Sequence, residues 1–270
     1  YGEETDPNDT LVIREIESAG VRNWRGNAGN PYLVPVESIQ YDASVEWYFA
    51  DVGSLSASVF YKDLKNFFID GAFPRVVTNT TTDITQSVDV SGKVNGGDGE
   101  LLGFELAYQQ YFDMLPEPFD GLGMQFNYTY IDAEGVPNPA LEDNSDRRSE
   151  DVTASLPLQS QSKDTANLAF MYDTDNWEFR TAYNWRSRYL VTARDGANLP
   201  YPPTWAAASG YLDASLFYSL NDNVKIGLQG SNLSNTIGKT EFQNVEGEEL
   251  NGRSWFTNDR RYALVLRATY

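Results

Sequence analysis

With 39 acidic against 20 basic residues in a chain of 270, the net charge of −19 repels a phosphate backbone and argues against a nucleic-acid partner. The absence of cysteine and histidine removes disulfides, thiolate nucleophiles, histidine bases and Cys/His zinc sites, and nothing in the remaining chemistry asks for a cofactor. No run of about 18 apolar residues occurs, so any membrane crossing has to be made by strands rather than helices.

Residues 1–38 are expected to be loop around a short strand at Leu11–Glu15, and the two prolines of GNPYLVP (Gly29–Pro35) oppose regular structure there. The opening YGEETDPNDT has neither the basic nor the apolar region of an export signal, which is expected to lie outside this sequence. From about residue 39 the pattern is alternation of period two. YDASVEWYF sets Tyr41, Ala43, Val45, Trp47 and Phe49 against Asp42, Ser44, Glu46 and Tyr48. LSASVFYKDLKNFF (Leu55–Phe68) follows, then LLGFELAYQQYF from Leu101 and LGMQFNYTYIDA from Leu122, in which Gln125 and Asn127 take the polar face. TANLAFMYD (Thr165–Asp173) precedes WEFRTAYNWRSR (Trp177–Arg188), whose polar face holds Glu178, Arg180, Asn184, Arg186 and Arg188. YLDASLFYSL (Tyr211–Leu220), VKIGLQGSN (Val224–Asn232) and RRYALVLRATY (Arg260–Tyr270) complete about nine strands. Several reach 10 residues or more, beyond the usual length of strands in globular sheets.

The connections alternate in length. Short ones rich in turn formers lie at 50–54, 113–121, 173–176 and 221–223, and long polar ones at about 70–98, 134–163, 191–210 and 236–258. Short turns at one end of an antiparallel meander and long loops at the other describe a transmembrane β-barrel. A soluble sandwich would bury the same apolar face between two sheets and has no need of aromatic clusters at strand ends. Here Trp47, Phe49, Tyr108, Trp177 and Tyr218 gather toward the short turns, and Tyr130, Trp185 and Tyr189 toward the long loops, as two interfacial girdles would. The expected fold is therefore all-β, an antiparallel transmembrane meander forming part of a barrel.

Acidic groups at Asp143, Asp146, Glu150 and Asp151 lie in a long loop with nothing to fix their separation, and read as a solvated charged surface. In a barrel, Gln125, Asn127, Arg180, Asn184, Arg186 and Arg188 point into the lumen, where the arginines pair with carboxylates of an internal plug or line a solute path. Tyr201 and Trp205, in the loop that follows, offer aromatic surface for sugar rings or aromatic chelators, or else pack their own loop.

GNPYLVPVESIQYDASVEWYF, GSLSASVFYKDLKNFF, the run Asn95–Glu134, the run Gln161–Leu190 and YLDASLFYSLNDNVKIGLQGSNLSN, with the final strand, span nearly the whole chain from Gly29. In order and spacing they resemble the C-terminal part of TonB-dependent outer-membrane receptors, and in particular the proteobacterial branch associated with oligosaccharide uptake. The resemblance implies a 22-stranded barrel with a plugged lumen. Residues 1–38 would be an external loop region leading into it, and 39–270 its last strands, about nine of them. The plug, the earlier strands and the segment that engages TonB would lie outside this sequence. Implied partners are outer-membrane lipid, that plug and those strands, the TonB complex and a small-molecule ligand. The implied function is active uptake of a scarce solute, an oligosaccharide first and a ferric siderophore second, with no bond-making chemistry. A passive porin-like channel and a soluble carbohydrate-binding domain are the other readings. By the same resemblance Tyr262, Leu264, Leu266, Ala268 and Tyr270 form the terminal aromatic strand read by the outer-membrane assembly machinery, with Tyr where the family usually has Phe. Deleting Tyr270 is expected to impair assembly.

Overall fold

The computed structural model describes residues 12–18, 21–79, 83–95, 98–134, 136–137, 155–192, 203–242 and 250–269, and these contain strands and no helix. In chain order the strands are β1 (Val12–Ser18), β2 (Val21–Asn27), β3 (Glu37–Ala50), β4 (Gly53–Lys65), β5 (Phe68–Asn79), β6 (Ile84–Asn95) and β7 (Gly99–Tyr111). Then come β8 (Leu122–Glu134), β9 (Val136–Pro137), β10 (Ser155–Leu156), β11 (Asp164–Asp173), β12 (Trp177–Arg186) and β13 (Tyr189–Thr192). The last six are β14 (Thr204–Ala206), β15 (Ser209–Asn221), β16 (Val224–Ser231), β17 (Ile237–Phe242), β18 (Asn251–Thr257) and β19 (Arg261–Ala268). Nine of them make one sheet in the order β3-β4-β7-β8-β11-β12-β15-β16-β19, with every neighbouring pair antiparallel. The sheet is open, and β3 and β19 are its edges.

Apart from bulges beside the short turns, between Tyr48 and Ala50 and between Ser219 and Asn221, the register carries the alternation from strand to strand. Val45, Ala57, Leu106, Tyr128, Ala166 and Trp185 are successive partners on one face. Phe179, Leu216, Leu228 and Leu264 continue that face to the C-terminal edge. None of the described residues covers it: Tyr41 is 69% exposed, Trp47 62%, Leu228 60% and Leu264 73%. An uncovered apolar face of this extent excludes the sandwich, whose strands would bury it, and fits a wall against lipid. Aromatic rings mark both ends. Trp47 and Phe49 meet at 5.2 Å, Phe49 and Tyr108 at 6.0 Å, and Trp177 and Tyr218 at 4.7 Å, all near the short turns. Phe104 stacks on Tyr130 at 5.5 Å toward the other end.

The long connections depart from expectation, because all four carry strands of their own. The first contains the β5-β6 hairpin, which joins β1 and β2 in a sheet ordered β1-β2-β6-β5. Its small core is Phe73, Val88 and Val90, packed by Ala28, Val77 and Val94. The short strand expected at Leu11–Glu15 is accordingly the first arm of a hairpin, β1 with β2. The second connection pairs β9 with β10, and the last two share a sheet ordered β13-β14-β17-β18. The single strand expected over Leu55–Phe68 breaks at Asn66, whose φ of 59° turns the chain in the left-handed region that asparagine tolerates. GNPYLVP is irregular, as expected, and is held by side chains: Asn95 Nδ2 donates to Val34 O and Asn66 O (both 2.8 Å), while Val34 N donates to Asn95 Oδ1 (2.8 Å).

Candidate functional site

The face opposite the apolar one is where a barrel places its lumen, and its rows can be read directly from the register. One row runs Glu46, Ser56, Ala107, Asn127, Asn167, Asn184 and Tyr211. Three asparagines thus stand side by side on β8, β11 and β12, one ladder step of about 4.8 Å apart. Each carboxamide both donates and accepts, so the row offers paired hydrogen-bonding groups along one line. The next row brings Gln109 opposite Gln125, whose Nε2 donates to Gln109 Oε1 at 3.4 Å. Of the sequence candidates, Gln125, Asn127 and Asn184 are brought together here, and Asn167 is the member that completes the set.

The charged residues of this wall sort by position. Asp42, Glu46 and Glu105 lie on β3 and β7, where Ser44, Glu46, Ser58, Glu105, Asn127 and Thr129 line a cavity of about 260 Å³. Apart from Lys62 on β4, which lies near Asp42 and Glu105, basic residues gather on β12, β16 and β19, and most are committed to neighbours. Lys225 donates to Glu178 in an ion pair. The Arg267 guanidinium lies 4.5 Å from the Phe217 ring centroid. Arg186 Nε donates to Ser162 Oγ at 2.8 Å and Nη2 to Ser160 O at 3.2 Å, with the guanidinium 3.8 Å from the Tyr189 ring centroid. Arg186 therefore binds the strand end to the preceding connection, since Ser162 is 2% exposed and also donates to Ser187 O. Arg180 is placed differently. With Asp213, Ser215, Gln229, Ser231 and Arg261 it lines a cavity of about 580 Å³, and Asp213 Oδ1 accepts from Asn232 N at 2.8 Å.

Arg188 corrects the sequence reading. β12 ends at Arg186, where Ser187 N donates to Asp164 O and Ser187 Oγ accepts from Asp164 N, and the chain then turns into β13. Arg188 leaves the strand's polar face for the outer sheet, where its guanidinium lies 5.4 Å from the Trp205 ring centroid. Trp205 itself lies in β14 between Leu190 and Glu241. Tyr201 and Tyr270 lie outside the described residues. Tyr262, Leu264, Leu266 and Ala268 all share the apolar face of β19, opposite Gly230, Leu228, Ile226 and Val224. At the outer end of β8 and β11, hydrogen bonding to Tyr130 first and Asp132 second holds the Lys163 ammonium well above the ordinary lysine range. The ion pair to Asp132 is 3.0 Å long. Among the described residues no group of histidine, cysteine, aspartate and glutamate is placed to hold a metal ion.

Comparison with known proteins fits this architecture. The family model described as TonB dependent receptor-like, beta-barrel, matches residues 7–233. The siderophore receptor PirA from Acinetobacter baumannii superposes with a TM-score of 0.57 at 16% identity, over 96% of this chain and 36% of that one. A mutant of the ferric enterobactin receptor PfeA from Pseudomonas aeruginosa, in complex with enterobactin, gives 0.58 at 18% identity, over 91% and 33%. The copper transporter OprC gives 0.55 at 14% identity, over 88% and 33%. At such identities the likeness concerns the fold, and the chain spans about a third of the length of each of these structures. No curated protein matches the sequence. The chain belongs to the TonB-dependent receptor β-barrel family, outer-membrane proteins of Gram-negative bacteria.

Proposed function

We propose that the chain is the C-terminal barrel wall of an energy-driven outer-membrane transporter for a hydroxyl-rich solute, an oligosaccharide in the first instance. The observation that carries this reading is the in-register row Asn127, Asn167 and Asn184. Carboxamides match hydroxyl groups as both donors and acceptors, and the row lies where a solute or a plug filling the lumen would touch the wall. The partners in this reading are lipid on the apolar face, a plug in the lumen, the TonB complex as the energy source and a small-molecule ligand. No bond is made or broken, so the protein is a transporter and receptor rather than an enzyme.

A ferric-siderophore receptor is the second reading, favoured by the names of PirA and PfeA. Uptake by cells carrying the full-length receptor separates the two. Labelled maltohexaose, xylohexaose and cellohexaose are compared with ferric enterobactin, with and without collapse of the proton gradient. The transport reading expects saturable entry of a hexasaccharide that stops when the gradient collapses. Entry of ferric enterobactin alone, or entry that is linear and indifferent to the gradient, would contradict it.

A further inference from the structure

The sheet β13-β14-β17-β18 carries a set of side chains that the lumen wall does not use. Cross-strand partners in an antiparallel ladder share a face. Leu190, Trp205, Glu241 and Gly252 are successive partners across this sheet, and Lys239 opposite Trp255 is the neighbouring pair on the same face. A Cβ on Gly252 would lie 2.6 Å from Trp255 Cζ2, so the indole rests on the bare backbone at Gly252, beside Glu241. Trp205 stands on the other side of the same carboxylate. The two tryptophan columns are two ladder steps apart, about 10 Å.

A bulge between the partners of Thr240 and Glu241 makes this possible by adding one residue, Arg253, to β18. Arg253 Nη1 donates to Thr204 Oγ1 at 3.0 Å, and its guanidinium lies 4.8 Å from the Phe242 ring centroid. Thr204 and Phe242 are cross-strand partners next to Trp205 and Glu241 in sequence, which places them on the opposite face. Arg253 is thereby taken off the tryptophan face. Trp255 remains 61% exposed, and Lys239 is exposed beside it.

We propose that Glu241 and the exposed Trp255, with Arg188 lying over the half-buried Trp205 at their side, form an external platform that binds the pyranose rings of a neutral oligosaccharide. Indole faces stack on the C–H faces of sugar rings with little loss of side-chain freedom. The Glu241 carboxylate accepts strong hydrogen bonds from ring hydroxyls, and Arg188 and Lys239 donate to ring and hydroxyl oxygens at either side. The inference rests on the oligosaccharide reading above and adds to it where the sugar first binds.

The test uses the full-length receptor in detergent, titrated with maltohexaose, xylohexaose and cellohexaose. At least one hexasaccharide is expected to bind, with Trp255→Ala and Glu241→Gln each weakening it about tenfold and Trp255→Phe holding it within about threefold. Trp255 is exposed and Glu241 half-buried, and an unchanged heat-modified gel shift verifies that each variant is folded. If the unsubstituted receptor binds a hexasaccharide and the two variants bind it equally well, the platform is wrong and the transport reading stands. If it binds none of the three, the oligosaccharide reading fails and the platform with it.

Discussion

Phe217 departs from the alternation rule, since it sits on the lumen face yet is only 6% exposed. Its ring lies on Gly227, where a Cβ would come within 2.2 Å of Phe217 Cδ1, and Arg267 covers it from β19. The glycine is needed for that close approach. Gly227→Val is expected to cost about 1–3 kcal/mol by overpacking, and Phe217→Ala in the same molecule to remove part of that cost. Urea unfolding of the receptor in micelles, with both single variants and the double, measures the coupling; strictly additive costs would show that the ring and the glycine do not interact. The two faces of β16 give a second residue-scale prediction. Leu228→Arg places a charge against lipid and is expected to cost about 2–4 kcal/mol near the midplane, while Gln229→Arg, one residue along on the lumen face, is expected to cost far less. Equal losses in the same unfolding assay would mean that the faces are not lipid and lumen.

At the scale of elements, the nine long strands were legible because period-two patterning is local and each strand repeats it. What the pattern omits is register. Asn127 and Asn184 are visible as polar-face residues, but only the ladder shows that Asn167 stands between them, and a one-residue slip would have turned it to lipid. The strands inside the long connections were hidden for a different reason. β5 contains Pro74, which opposes a strand assignment except at edges, and β6 finds a partner in β2 by a parallel contact between Arg25 and Asp89, far apart in sequence. Trp255 and Glu241 lay in a stretch read as polar loop, and their only sequence signal was the alternation of Lys239 with Glu241 across from RSWF. Asn95, at the end of β6, ties the β5-β6 hairpin to the segment entering β3 by satisfying both backbone groups of Val34. Asn95→Ala removes both bonds and, because the Val34 groups are exposed and pass to water, is expected to cost about 0.5–1.5 kcal/mol locally. Hydrogen exchange should then quicken over residues 29–35 and leave β15 and β16 unchanged; exchange that quickens everywhere would indicate a global rather than a local role.

For the whole molecule, the central claim is that one open nine-stranded sheet separates lipid from a polar lumen. The absence of cysteine from this chain makes it testable position by position. Single cysteines placed through Val224–Ser231 and Arg261–Ala268 in the full-length receptor, freed of any others, can carry a nitroxide label in lipid bilayers. Collision rates with oxygen, which concentrates in lipid, and with a water-soluble nickel chelate then report each position's surroundings. The account predicts period-two alternation in both strands, with Ile226, Leu228, Tyr262, Leu264 and Leu266 favouring oxygen and Lys225, Gln229, Ala263 and Arg267 disfavouring it. Uniform access to the nickel chelate along both strands, or alternation in the opposite phase, would contradict it.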